Sequence, residues 1–156
     1  MGPHCGSLRT AILNLKFRNR RHAAFALGSI LGHKLAGRGE IVVPVPLHPR
    51  RLAERGFNQA EAIARGLVAT MDARLAVDAL VRTRHTKAQR SLSLAARGPN
   101  VLAAFAVTPA AESLREARVL LVDDVVTTGA TIAACAQALR QAGVAEVRAV
   151  ALALKV

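Results

Sequence analysis

Asp123 and Asp124 follow the apolar run Val119-Leu120-Leu121-Val122, and the small residues Thr127, Thr128, Gly129, Ala130 and Thr131 come next. Four apolar residues in a row are the pattern of a strand buried on both faces. Such a strand delivers both carboxylates to its carboxyl end, where ligands of open α/β sheets bind. The small side chains let backbone N–H groups close around a phosphate, and a helix N-terminus there favours negative charge. The threonine hydroxyls add donors. The carboxylates repel a phosphate but accept hydrogen bonds from hydroxyls such as a ribose diol. A sugar phosphate therefore satisfies both halves of the loop. The competing reading is that the acids only cap or turn the chain. Two acids behind four buried apolar residues are costly without a ligand or donor. The dinucleotide pattern GxGxxG is absent, and so is the Gly-Lys-Ser/Thr of a Walker loop.

Basic residues stand in two other places. The loop Leu47-His48-Pro49-Arg50-Arg51 carries adjacent arginines. Guanidinium binds phosphate oxygens in bidentate fashion, so Arg50 and Arg51 suit an anionic group, with solvated loop charges as the alternative. His48 titrates in the range of a proton carrier, although a simple loop histidine is the plainer reading. The segment from Arg82 to Asn100 has no clean period and reads as a long loop or hairpin, a kind of segment that is often functional.

These residues need a scaffold, and the chain supplies one. Ser7 can cap a short helix with Leu8, Ala11, Ile12 and Leu15 at helical spacing. The spacing predicts a second helix over 22–36, with Ala23, Leu27, Ile30, Leu31 and Leu35 on one side and Gly37 and Gly39 ending it. Ile41-Val42-Val43 reads as a buried strand that leaves the sheet at Pro44 and Pro46. Asn58 opens another helix and Glu61 completes a capping-box pattern; Ala60, Ile63, Ala64, Leu67 and Met71 form its apolar face. Val81 ends a strand. After the strand 119–122, a helix carries Ile132, Cys135, Ala136 and Leu139 at helical spacing and stops at Gly143. A last strand runs from Val147 to Leu154. Strand, loop, helix and strand in succession make a βαβ unit.

The segment Val119 to Thr131 resembles the phosphoribosyl pyrophosphate (PRPP) signature of type I phosphoribosyltransferases. Val43 to Arg51, Arg55-Gly56-Phe57-Asn58-Gln59-Ala60, Gln89, Arg97, Asn100-Val101 and Phe105 extend the likeness. From about Leu8 to Val156 the chain resembles the ComF family, phosphoribosyltransferase-like proteins linked to competence and DNA uptake in bacteria. The resemblance implies an α/β, Rossmann-like type I phosphoribosyltransferase fold, with a central parallel sheet, flanking helices and a small hood or lid. By that similarity Asp123 and Asp124 would hold the ribose hydroxyls. Thr127, Thr128, Gly129, Ala130 and Thr131 would cradle the 5-phosphate. Leu47, His48, Arg50 and Arg51 match the pyrophosphate loop. Arg84, Lys87 and Arg90 would close as a flexible lid, with a solvated face as the alternative. The class uses Mg²⁺ held mainly by PRPP and water, with no direct protein ligand. Catalysis would rest on positioning and charge stabilisation, without a protein nucleophile. In purine salvage members the residue two before the loop glycine is often an acid near the base. Here it is Thr127, which argues against hypoxanthine or guanine as acceptor. Arg97 and Asn100 receive no physical role. The expected organisation is a single transferase domain over 1–156 without the cysteine-rich, zinc-binding start of many ComF relatives.

Composition bounds the remaining classes. The 156 residues carry 22 basic against 10 acidic side chains, a formal charge of +12, which calls for an anionic partner. Residues 1 to 39 hold seven basic side chains and no acid, and residues 79 to 111 hold five and no acid. With 52% hydrophobic and 21% charged residues, the chain is not intrinsically disordered. Four phenylalanines, with no Tyr or Trp, argue against a single-strand binder that stacks bases on rings. Cys5 and Cys135 form no CxxC pair; Cys135 is expected in the core. No apolar run approaches a membrane span and no signal-peptide pattern is present, so a cytoplasmic protein without membrane insertion is expected. Two functions follow. One is PRPP-dependent phosphoribosyl transfer to an unidentified nitrogenous acceptor, with pyrophosphate release. The other is a non-catalytic PRPP- or nucleotide-binding module in competence, DNA uptake or DNA processing. The candidate partners are PRPP, the acceptor, DNA or the competence machinery, and a second copy of the chain as a homodimer.

Overall fold

The computed structural model describes residues 2–3, 21–35, 38–83 and 104–154. The predicted helix after Ser7, the lid candidates Arg84, Lys87 and Arg90, and Gln89, Arg97 and Asn100 lie outside these residues. The described chain forms β1 (Gly2–Pro3), α1 (Arg21–Lys34), β2 (Arg38–Pro44), α2 (Pro49–Arg55), α3 (Gln59–Val68) and β3 (Asp72–Leu75). It continues with β4 (Leu80–Arg82), β5 (Phe105–Val107), a 3-10 turn (Pro109–Leu114), β6 (Arg118–Val126), α4 (Ala130–Gln141) and β7 (Glu146–Leu154).

Five strands make one sheet in the order β1-β7-β6-β2-β3, with every pairing parallel. The expected central parallel sheet with flanking helices is therefore present. β4 and β5 pair antiparallel as a separate two-stranded hood. Alternation along the central strands sorts side chains to two faces. Ile41, Val43, Val119 and Leu121 pack with Ala134, Cys135 and Leu139 of α4, together with the hood residues Leu80 and Phe105. Val42, Leu120 and Val122 pack with Ala24 of α1 and with Ile63 and Leu67 of α3. Covering both faces explains why these strands read as continuous apolar runs.

The helix over 22–36 is present as Arg21–Lys34, and Leu27, Leu31 and Leu35 of the expected side pack against the core, although Ala23 is exposed. Ala24, Gly28 and Gly32 are buried, whereas Ile30 is 57% exposed. Gly28 lies against the backbone of Ile63, and Gly66 of α3 lies against the backbone of Phe25. A Cβ at either glycine would fall inside the van der Waals contact of the facing carbonyl oxygen. The two helices thus meet through glycines, which a search for large apolar residues passes over. Gly39 lies inside β2 rather than ending the helix.

Candidate functional site

β2 leads through α2 and α3 to β3 on one side of the sheet, while β6 leads through α4 to β7 on the other. β2 and β6 are neighbours, with Ile41 opposite Val119 and Pro44 opposite Val122. Connections that depart in opposite directions open a crevice at the carboxyl ends of the two strands. Both motif-bearing loops emerge there.

The β2 side is built by short-range chemistry. The expected loop 47–51 is partly helical. His48 is the N-cap of α2, its ring Nδ1 accepting from the Arg50 backbone N–H at 3.2 Å, and Pro49 opens the helix. Gly56 ends it at φ 79°, a left-handed conformation that favours glycine. Asn58 then does two jobs. Its Nδ2 donates to the Val45 carbonyl at 3.0 Å, and its Oδ1 accepts from the Ala60 backbone N–H at 3.1 Å. The loop after β2 is thereby tied to the start of α3. Glu61 pairs with Arg65 at 2.9 Å instead of closing the expected box. Gln59, only 2% exposed, accepts from Arg55 Nη1 at 3.0 Å and fixes that guanidinium.

On the other side, β6 continues past its apolar run and carries Asp123 and Asp124 within the strand. Each acid accepts from the next backbone amide, Asp123 from Asp124 N–H and Asp124 from Val125 N–H, both at 2.8 Å. Gly129, the N-cap of α4, stands at φ 76° and has no side chain with which to cap the helix. Thr128 Oγ1 accepts from the Ala130 backbone N–H at 3.4 Å. Thr127 to Ile132 and Asp123 line a small hollow of about 30 Å³ at the start of α4. Such a helix start attracts an anion.

The acids face a larger cleft of about 140 Å³, bounded by Leu47, Arg51 and Arg55 on the β2 side and by Thr131 and the hood residue Arg82. Burial, and then the neighbouring Asp124 charge, pushes the Asp123 carboxyl from its ordinary 3.8 up to about 7. The Asp124 amide and Arg82 pull it the other way. Burial, with the charge of Arg51, lowers the pKa of both Arg55 and Arg82. Arginine stays charged nonetheless. Three guanidiniums and two carboxylates thus share one partly dry space. Behind it Cys135 is fully buried, and burial pushes its thiol up to about 12, so it is an inert core residue as expected.

Of the expected site residues, Leu47, Arg51, Asp123, Asp124 and Thr131 meet at this cleft. Thr127, Thr128, Gly129 and Ala130 join Thr131 and Asp123 around the adjoining hollow. Arg50 is exposed and His48 serves as a cap; neither lines the cleft. Arg55, Asn58, Gln59 and Arg82 do line it, although none was singled out as a site residue. The Arg55-to-Ala60 segment carried a usable signal, a charged and amide-rich cluster beside the arginine loop. Arg82 carried one too, since it opens the basic segment Arg82 to Arg90 that the family likeness places as a lid.

The family model described as Phosphoribosyl transferase domain matches residues 52–156. Competence protein F of Haemophilus influenzae is 37% identical over 109 residues, covering 70% of this chain and 48% of that protein. DNA utilization protein YhgH of Escherichia coli K12 is 35% identical over 152 residues, covering 90% of this chain and 64% of that protein. The chain thus spans from about half to under two thirds of the length of these relatives. The ComF resemblance is borne out by them. Among solved structures, glutamine PRPP amidotransferase from B. subtilis, complexed with ADP and GMP, superposes with a TM-score of 0.61 at 22% identity. That match covers 86% of this chain and 27% of the other and supports the fold. Among the described residues, no helix is long and apolar enough to cross a membrane.

Proposed function

The chain belongs to the phosphoribosyl transferase domain family, and from that premise we propose that it binds PRPP and transfers its phosphoribosyl group to a nitrogenous acceptor, releasing pyrophosphate. The observation that carries this reading is the meeting of Arg51, Asp123, Asp124 and Thr131 at one cleft beside an open helix start. In this reading the amides of residues 127 to 131 hold the 5-phosphate. Asp123 and Asp124 accept from the ribose hydroxyls. Arg51 and Arg55 hold the pyrophosphate, so negative charge developing on the leaving group meets fixed guanidiniums. The cleft orients both ends of the sugar before the bond to pyrophosphate breaks.

Among the described residues, no cluster of three His, Cys, Asp or Glu side chains could hold a metal by itself. Two carboxylates close enough for one to raise the other's pKa fit Mg²⁺ held mostly by substrate and water oxygens. Bound Mg²⁺ would neutralise the pyrophosphate. Calorimetric titration with PRPP and Mg²⁺, followed by pyrophosphate release across a panel of nucleobases and amines, tests the proposal. Tight PRPP binding with acceptor-dependent release is expected. Absence of PRPP binding would refute the site; binding with no release across the panel would refute the transfer.

A second reading is favoured by the names of the relatives and by the acid-free first 39 residues: a PRPP- or nucleotide-binding module in competence, DNA uptake or DNA processing. It requires DNA affinity that falls steeply with salt yet persists near physiological ionic strength. Loss of all binding at about 150 mM salt would reduce the charge to nonspecific attraction.

A further inference from the structure

The arginine wall of the cleft has little of its own to hold it in place. Arg51 and Arg55 both belong to α2, and α2 has no buried residue. Its position relative to the acids must come from polar ties. One of them is the bond from Arg55 to the buried Gln59 at the start of α3. Apolar packing of Ile63 and Leu67 under the sheet fixes α3 as a body. Such packing is non-directional and does not by itself set where the first turn of the helix sits.

Asn58, next to Gln59, supplies the missing register. Its Oδ1 caps α3 at the Ala60 N–H, and its Nδ2 donates to the carbonyl of Val45, 13 residues earlier in the chain. The N–H of that same Val45 donates to the Val122 carbonyl at 2.9 Å. Val122 directly precedes Asp123, so this bond fixes the planar peptide unit from which the acid wall begins. A path of hydrogen bonds and short backbone links thus runs from the Arg55 guanidinium to the backbone of Asp123. Val45, Asn58 and Gln59 all line the cleft between the two walls.

We propose that Asn58 is a positioning residue that holds the arginine wall and the acid wall at one separation, so that both ends of PRPP are gripped together. It acts through Val45 and Gln59, and the inference rests on the PRPP reading above. A residue needed only for folding weakens every ligand alike. One that sets the spacing of two sound half-sites weakens the ligand that spans them.

Asn58→Ser tests it, because serine still caps a helix but is too short to reach the Val45 carbonyl. Calorimetric titrations with pyrophosphate–Mg²⁺, ribose 5-phosphate and PRPP–Mg²⁺ are compared with those of the wild-type protein. Each fragment is expected to bind within about threefold of wild type, while PRPP weakens about tenfold. Asn58→Thr keeps the cap as well and is expected to do the same; it takes the place of the serine variant if circular dichroism shows that one unfolded. Unchanged PRPP affinity overturns the inference. So does an equal loss for PRPP and for either fragment alone, which would place the effect within one wall. Failure of the wild-type protein to bind PRPP overturns the PRPP reading, and this inference with it.

Discussion

The backbone amide of Asp124 donates to the carboxylate of Asp123 at 2.8 Å, so the acid whose pKa is raised by burial, and then by the charge of Asp124, is held in place by that same neighbour. Two carboxylates on consecutive strand residues normally point to opposite faces. Here the end of β6 brings both to the cleft.

The first prediction concerns pH. Asp123 holds its proton up to about pH 7, and the charged form is the better acceptor for a diol. PRPP–Mg²⁺ affinity is expected to rise about tenfold between pH 6 and pH 8, with proton release visible as buffer-dependent heat. Asp123→Asn should flatten this profile. A steep profile in that variant would assign the titration to PRPP itself.

Folding carries the opposite dependence. The native carboxyl binds its proton more tightly than the unfolded chain does. Its stabilising contribution is full below 3.8 and is lost as pH rises to about 7. Asp123→Asn is therefore expected to stabilise the ligand-free protein at pH 8 by about 1–3 kcal/mol in denaturant titrations, while weakening PRPP binding. No gain at pH 8 would contradict the raised pKa. Asp124→Asn should cut PRPP affinity about 10- to 100-fold.

The Arg55–Gln59 hydrogen bond yields a second kind of outcome. Gln59 is buried and accepts from Arg55 at 3.0 Å. Gln59→Leu keeps the volume but frees the guanidinium from its anchor. PRPP affinity should fall about three- to tenfold, with about 1–3 kcal/mol of stability lost through the unsatisfied pairing. Arg55→Ala should remove most of the remaining effect when combined with it, giving a non-additive cycle. Simple additivity would show that the two side chains act separately.

Glycine contacts should dominate the packing of α1. Gly28→Ala and Gly66→Ala each place a methyl against a facing backbone oxygen. Each is expected to cost at least about 1–3 kcal/mol in urea unfolding, more than Ile30→Ala on the exposed face of the same helix. Equal costs would remove the close-packing argument.

Gly129 separates strain from collision. A Cβ there meets nothing within 4 Å, yet the residue sits at φ 76°. Gly129→Ala should therefore lose only about 1–2 kcal/mol, read by thermal unfolding. The damage should appear chiefly in PRPP affinity, since the loop would relax away from this conformation. A larger stability loss with unchanged affinity would oppose that account.

Much of the sheet and half of the site were legible in the sequence because they rest on local patterns. Val119 to Val122 announces a strand covered on both faces, and Asp123 with Thr127 to Thr131 announces the loop that lines the cleft and its hollow. The rest depends on distant pairing. Arg82 reaches the cleft because Phe105, beyond a long intervening segment, pairs with it. Nothing next to Arg82 in the chain records that. His48, read more plainly as a loop histidine than as a proton carrier, is the cap of the helix that Pro49 opens. Leu27, Leu31 and Leu35 mark the inward side of α1 by their spacing, but Gly28 and Gly66, where the two helices come closest, carry no side chain for a pattern to register.

The pairing of β2 with β6 also sets an order of events during synthesis. The arginine-bearing wall after β2 leaves the ribosome well before β6, and it lacks its facing acids until Val119 to Val122 dock beside Ile41 to Pro44. Contacts so distant in sequence form slowly. Ligand protection of a growing or refolding chain is therefore expected only when this central seam closes, so that small-molecule binding becomes a clock for the joining of the two halves of the sheet.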